Sequence, residues 1–305
     1  MQNMIFGSKP SLEDILAAIQ ELEVEIHNCR QEIPFEGEMT RITDIVDNLA
    51  AEGFAAEHGL SLLIEHGDER ILFDTGAGAA LRPNAAKLGI DLDGVTRIVL
   101  SHSHNDHTGG LGGLAPKCPI HVGAGFDVPC FSRHADGSVH SLAVPPDVKA
   151  VLATADVRAG LQFGEIAKGV YLSGRIERTS GEDNGKSFYC DETCTERNYV
   201  LEEQSLLTED GVLVTGCCHA GIMNTVRTFR RAVPHIAVRT IVGGLHLCHA
   251  TDNEIELTGD FLRQLNLDQL ALLHCTGEAA GAKLKEVLFC PVVWGAAGSV
   301  LTCLP

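Results

Sequence analysis

A chain of 305 residues that is 45% hydrophobic and 21% charged has ample apolar surface for a layered core, which excludes intrinsic disorder, while its length admits one large domain or two. Lys and Arg number 23 against 41 Asp and Glu, and the resulting net charge of −18 repels phosphate backbones and sets nucleic acid aside as a partner. No apolar run approaches the roughly 18–20 residues of a membrane span, the first ten residues do not read as a secretory leader, and eleven scattered Cys fit reduced thiols, so the expectation is a cytoplasmic chain with no membrane partner.

Residues 1–38 read as an N-terminal helical extension. Ser11 is placed to cap a helix over 11–33 with Asp14 three positions on, Ile15, Ile19, Leu22, Ile26 and Cys29 recur at helical spacing, and Pro34 ends it. That seam is read as packing on its own domain; dimerisation, and with it a homo-oligomer, is the alternative, although fewer than three heptads are spanned.

From Met39 onward, residues 39–305 read as one domain. Short β-rich runs come first: Arg41–Val46, Leu60–Glu65 and Arg70–Phe73, then a helix-like 84–88 and the strand 96–100. A second series follows: the strand 211–214, a helix over 223–232, the run 237–242, a helix over 255–265, the strand 270–273, a helix over 279–287 and a closing strand 299–303. Between the two series, residues 174–199 are polar and Gly-containing and read as an insertion or flap over a site. Cys190 and Cys194 within it are spaced unlike a metal pair or a redox pair and are read as reduced thiols.

The strongest chemical signal is Ser101-His102-Ser103-His104-Asn105-Asp106-His107, directly after the apolar strand Ile98-Val99-Leu100. In extended backbone residues i and i+2 point the same way, so His102 and His104 converge on one cation and the following turn brings Asp106 and His107 to a second. Imidazole with carboxylate suits Zn²⁺ first, with Fe²⁺ or Mn²⁺ as alternatives. Strand ends supply the remaining candidates, because α/β sites gather their ligands there. Asp74, after Ile71-Leu72-Phe73, reads as a carboxylate that orients a ligating His; His219, His246 and His274 each follow an apolar run.

These residues resemble the metallo-β-lactamase superfamily, whose signature is His-x-His-x-Asp-His after a strand, and within it the group similar to dihydropterin-methyl-ribofuranosylaminobenzene phosphate synthase. The likeness runs from Met39 to Cys303 through separate patches, among them 45–48, 57–61, 72–76, 216–221, 243–247 and 274–278. The resemblance implies an αββα sandwich with two divalent metal ions at one rim. It implies that His102 and His104 serve one metal, Asp106 and His107 the other, with His219 and His274 completing the shells, and it leaves open a thiolate ligand at Cys217. Relatives carry a further ligand-like His soon after the strand matching Pro119–Val122; here Gly123 stands there and His121 lies two positions early, so one metal position is expected to be short of a ligand.

The chemistry implied is metal-assisted attack at phosphorus, or at a carbon bearing a phosphate or pyrophosphate leaving group, in a small-molecule substrate. In that scheme Asp106 and Asp74 are the catalytic carboxylates, and Asp47, Asn48, Glu57 and His246 are candidate substrate contacts. Arg227, Arg230 and Arg231 are read as a solvated helix face rather than a phosphate clamp. The alternative is a degenerate metal- or ligand-binding protein without turnover.

Overall fold

The computed structural model describes residues 37–302 apart from 135 and 161, so the N-terminal helix and its dimerisation alternative lie outside the described residues. Hydrophobic alternation builds the architecture directly. In β2 (Ser61–His66) and β3 (Glu69–Phe73), Leu62, Ile64, Ile71 and Phe73 face one way and Leu63 and Leu72 the other, and all are buried. A strand apolar on both sides must be covered on both sides. One face packs against a second sheet and the other against helices.

The first sheet runs β17 (Val300–Thr302), β1 (Arg41–Val46), β2, β3, β4 (Arg97–Val99), β5 (Ile120–Gly123), β8 (Val157–Gly160). The second runs β16 (Val292–Trp294), β15 (Gln269–Leu272), β14 (Thr240–Gly243), β13 (Val212–Thr215), β12 (Leu206–Thr208), β10 (Val170–Leu172), β9 (Gly164–Ala167). The inter-sheet core joins Ile42, Leu62, Ile64, Ile71, Phe73 and Val99 to Val170, Leu206, Val212, Val214, Val242 and Ala271. Helices α1 (Leu81–Leu88) and α3 (Pro146–Leu152) cover the outer face of the first sheet, and α4 (Ile222–Ala232), α5 (Asp252–Arg263) and α6 (Glu278–Val287) cover that of the second. This is an αββα sandwich.

Each sheet begins as an antiparallel meander and ends parallel: β3, β4, β5 and β8 run together in one, and β13, β14, β15 and β16 in the other. The loops that leave the C-terminal ends of these parallel strands carry Asp74, His102, His104, His219, His246 and His274, the usual place for a site in open α/β sheets. Four of the loops hold a non-glycine residue in left-handed backbone: Asp74, Cys218, His246 and His274 at φ 58°, 61°, 48° and 48°. Such conformations cost about 1 kcal/mol or more for L-residues and persist where surrounding contacts enforce them.

A third, small sheet, β11 (Phe188–Tyr189), β6 (Phe131–Arg133), β7 (Val139–Ser141), is built from segments that do not alternate in hydrophobicity, which is why periodicity does not announce it. Among the described residues no helix is long and apolar enough to cross a membrane, and the nine cysteines are all unpaired.

Candidate metal centre

Two groups of donor atoms face each other across the rim. In the first, His102 Nε2 lies 3.0 Å from His104 Nδ1 and 3.3 Å from His219 Nε2. In the second, His274 Nε2 lies 3.2 Å from His107 Nε2 and 3.3 Å from Asp106 Oδ2, and His107 Nε2 is 3.8 Å from that same oxygen. The short helix α2 (Asn105–Thr108) carries Asp106 and His107 one residue apart at its start, so a single turn of chain feeds the second group directly after the first.

The outer ring nitrogens fix which atoms face inward. Asp74, fully buried, accepts from the Ser101 backbone N–H at 2.7 Å, from the Ser101 hydroxyl at 2.7 Å and from His107 Nδ1 at 2.6 Å. With its hydroxyl proton given to Asp74, Ser101 Oγ accepts from His102 Nδ1 at 2.8 Å. His104 Nε2 faces the Cys130 sulfur at 3.2 Å, and His274 Nδ1 donates to Asn48 Oδ1 at 2.9 Å. His102, His104 and His107 therefore each turn a lone pair toward their neighbours, the tautomer a metal ligand needs, while His274 turns its Nε2 toward Asp106 and His107.

Lone pairs about 3.0–3.3 Å apart repel unless a cation lies among them. Nitrogens held about 2.0–2.1 Å from a tetrahedral ion stand about 3.3 Å from one another, so the spacing of both groups fits a divalent metal of zinc's size. The groups differ in protonation. Burial, reinforced by the neighbouring imidazoles, pushes His102 and His219 well below the ordinary histidine range, and burial is the main cause that takes His104 down to about 3. Burial also works to lower His274, but its hydrogen bond to Asp106 and the charges of Cys275 and Asp106 outweigh it and raise the group to about 9. Burial works to raise Asp106, and His107 and His274 hold it well below the usual carboxylate range.

His219 sits where the missing ligand is needed. A Cβ built on Gly123 would lie 1.7 Å from the Glu202 carbonyl oxygen, so the segment before β12 fills the space a side chain there would require. The geometry brings a third nitrogen into the first group from His219, and His121 is not among the gathered donors, its Nε2 being buried without a partner. Glu203, also buried, accepts from the backbone N–H groups of His219 and Ala220 at 2.6 and 2.7 Å and holds that loop. Arg178 in the 174–199 segment donates to the His219 carbonyl at 3.0 Å.

The remaining sequence candidates divide by where their polar atoms go. Asp47 accepts from the backbone of Asn48 and of His274, and Asn48 also donates to the His274 carbonyl at 3.2 Å, so both grip the His274 loop. Glu57 is removed from the metal groups in its bonding: its two oxygens accept from the backbone N–H groups of Ala77, Gly78, Ala79 and Ala80, at 2.8–3.1 Å, at the start of α1. His246 is half-buried, its ring centroid 4.4 Å from that of His219, with Nδ1 lacking a partner. Four residues that periodicity and spacing do not single out also reach the centre: His58, 3.3 Å from Asp106; Cys130; Phe188, its ring 4.8–5.8 Å from those of His104, His219 and His246; and Glu203. The apolar roof from Phe188 places the 174–199 segment over the first group, while His58 stays exposed beside the second.

Comparison with known proteins agrees with this fold. Residues 56–154 match the model of the metallo-β-lactamase superfamily. The chain is 29% identical over 250 residues to an uncharacterized protein of Methanocaldococcus jannaschii, covering 80% of this chain and 93% of that one. It is 27% identical over 257 residues to the 7,8-dihydropterin-6-methyl-4-(β-D-ribofuranosyl)-aminobenzene-5′-phosphate synthase of the same organism, covering 76% and 85%. Among solved structures it is similar to Tm1679, described as a metal-dependent hydrolase of the β-lactamase superfamily, with 28% identity, a TM-score of 0.77 and coverage of 87% and 100%.

Proposed function

We propose that this chain, which belongs to the metallo-β-lactamase superfamily, is a two-metal enzyme acting on a small phosphorylated or pyrophosphorylated metabolite. The observation that carries this reading is the convergence of two groups of three donor side chains, each with nearest spacings of 3.0–3.3 Å, which a divalent cation in each would fit. His102, His104 and His219 would hold one ion, and Asp106, His107 and His274 the other, with zinc the first candidate for both. Bound there, divalent cations supply Lewis acidity toward a phosphoryl oxygen and acidify an attacking water.

The chain's own residues prepare that chemistry. Asp74 orients His107 directly and His102 through Ser101, so one buried carboxylate sets a ligand in each group. Asn48 orients the His274 ring in the same way, and Asp47 holds the His274 backbone N–H. Phe188 and Cys130 exclude water from the first group, leaving the side of His58 and Asp106 as the approach for substrate. His246, half-buried beside His219, is the remaining candidate to meet a leaving oxygen. Similarity to the pterin-product synthase makes a dihydropterin pyrophosphate the first substrate to test, in which case the enzyme would assist pyrophosphate departure rather than hydrolysis.

The test is turnover by zinc-loaded protein of a phosphodiester, a lactone, a thioester and a dihydropterin pyrophosphate, the last with and without an arylamine acceptor. Turnover of the diester or the pyrophosphate, abolished in the His102→Ala/Asp106→Ala double variant, is expected. A fully metallated protein that turns over none of the four supports a binding protein instead.

A further inference from the structure

Cys130 and Cys190 stand opposite each other in the small third sheet, one residue past the paired ends of β6 and β11. The register Phe188↔Ser132 and Tyr189↔Phe131, carried one step on, sets Cys190 across from Cys130. The Arg133 N–H donates to the Ser187 carbonyl at 3.1 Å, so 133 and 187 form a hydrogen-bonded pair, and alternation along the ladder makes 130 and 190 a non-hydrogen-bonded one. Their backbones agree. The Cys130 carbonyl accepts from Leu142 on the β7 side, and the Cys190 N–H donates to the Glu196 carbonyl on the opposite edge, both at 2.8 Å, so each turns its hydrogen bond away from the other.

In such a pair the side chains share one face and the Cα atoms stand about 4.5 Å apart, inside the span of about 4.4–6.8 Å that a disulfide bridges. That face lies over the first donor group: the Cys130 sulfur is 3.2 Å from His104 Nε2, and the ring of Phe188, two residues before Cys190, is 4.8 Å from the His104 ring. Cys130 is buried, whereas Cys190 is half-buried, its thiol donating to the Arg197 carbonyl at 3.7 Å. The apolar core beneath this sheet is small, consisting of Cys130, Phe188 and Val200 with Leu142 against them. Elements with so few apolar contacts open locally at low cost. Burial is the main cause that raises both thiols above the ordinary cysteine range, with Glu202 adding to it at Cys130 and Glu196 at Cys190, so register rather than acidity marks the pair.

We propose that Cys130 and Cys190 are a disulfide-forming pair, oxidised by glutathione disulfide or another low-molecular-weight disulfide, and that the bond pins the Phe188 roof over the first donor group. The bond itself is independent of the metals; its consequence at the rim rests on the two-metal reading. Cys190, the more accessible sulfur, gives up its proton and attacks the small disulfide, which forms a mixed disulfide and releases one glutathione thiolate; Cys130 then attacks the Cys190 sulfur and expels the second. The two protons lost by the cysteines go to the two departing thiolates. The pair is thus oxidised by two electrons as one glutathione disulfide becomes two glutathiones. The new bond ties β11 to β6 covalently beside His104, so the roof opens less often and a first-group cation leaves more slowly.

Peptide mapping after oxidation provides the test. The full chain is treated with glutathione disulfide, its remaining free thiols are alkylated, and the digest is read by mass spectrometry. A linked Cys130–Cys190 peptide is expected, removed by dithiothreitol, retained in Cys194→Ser and missing from Cys190→Ser. A Cys190–Cys194 link, or glutathione left on Cys190 with no internal bond, overturns the pair. In zinc-loaded protein, oxidation should slow chelator removal of one of the two equivalents by about tenfold or more, while reduced protein and treated Cys190→Ser keep the original rate. Unchanged release from the mapped disulfide form overturns the role of the bond at the roof. A single bound equivalent in the untreated protein overturns the two-metal reading, and the peptide map still decides the pair. If Cys190→Ser does not fold, the presence or absence of the linked peptide in the wild-type chain settles the assignment by itself.

Discussion

The two donor groups at the rim solve the same problem of crowded lone pairs in opposite ways. The first is three neutral imidazoles, almost wholly buried and roofed by Phe188, from which protons are excluded by burial. The second includes a carboxylate, borders the exposed His58, and in the metal-free state holds a proton on His274 against Asp106. The lesson is that a proton substitutes for the metal where a carboxylate is present to pay for it, and nothing substitutes where only histidines meet. The first position is therefore expected to be structural and tightly filled, and the second to exchange and to respond to conditions.

The sharpest way to break this division is to remove one ligand from each group. His219→Ala should retain one metal equivalent of two, and Asp106→Ala should lose the other, measured by elemental analysis after dialysis. A His219→Ala protein that keeps both equivalents would falsify the assignment of the first group. Next in size is the effect of pH. A cation entering the second group must displace the His274 proton, which is bound below about 9, so affinity there should rise about tenfold per pH unit until the pH nears 9, about 50-fold from pH 7 to 9. First-group affinity should stay flat over the same window, since its imidazoles are already neutral. Equal slopes for the two equivalents in competition titrations would erase the contrast.

Smaller effects sharpen it further. Glu203→Gln weakens the hold on the His219 loop and should lower first-group affinity by about tenfold, with the second unchanged; Asn48→Ala should do the reverse. Glu57→Gln, which touches neither group, should cost about 2 kcal/mol of unfolding free energy by leaving amide N–H groups facing a side-chain NH₂, with metal stoichiometry intact. A loss of bound metal in that variant would tie the start of α1 to the rim and blur the boundary drawn here.

Much of the frame was legible in the amino-acid sequence because both sheets are covered on both faces, which makes strands such as Arg41–Val46 and the helices after 222, 252 and 278 stand out by apolar periodicity. The motif 102–107 was legible because its donors are consecutive. His219 and His274 were legible only as histidines at strand ends, and their pairing with particular motif residues depends on sheet order, which spacing does not encode. Glu203 and Phe188 were not legible at all: each acts through one contact made across a large sequence separation. Glu57 was misread toward substrate because a carboxylate that accepts four amide N–H groups leaves no periodic trace. Gly123 read as a missing ligand because sequence shows the absent side chain and not the Glu202 backbone that fills its place.

The His102–His219 contact joins residues 117 positions apart, and the His107–His274 contact joins residues 167 apart. In each, one partner belongs to the first sheet and the other to the second. An ion in either position is thus a cross-link that closes a very long loop, and it acts at the rim between the two sheets. Such a clamp can form only after both halves of the chain have collapsed onto each other, so metal capture should be a late event in folding and chelation an early step in coming apart.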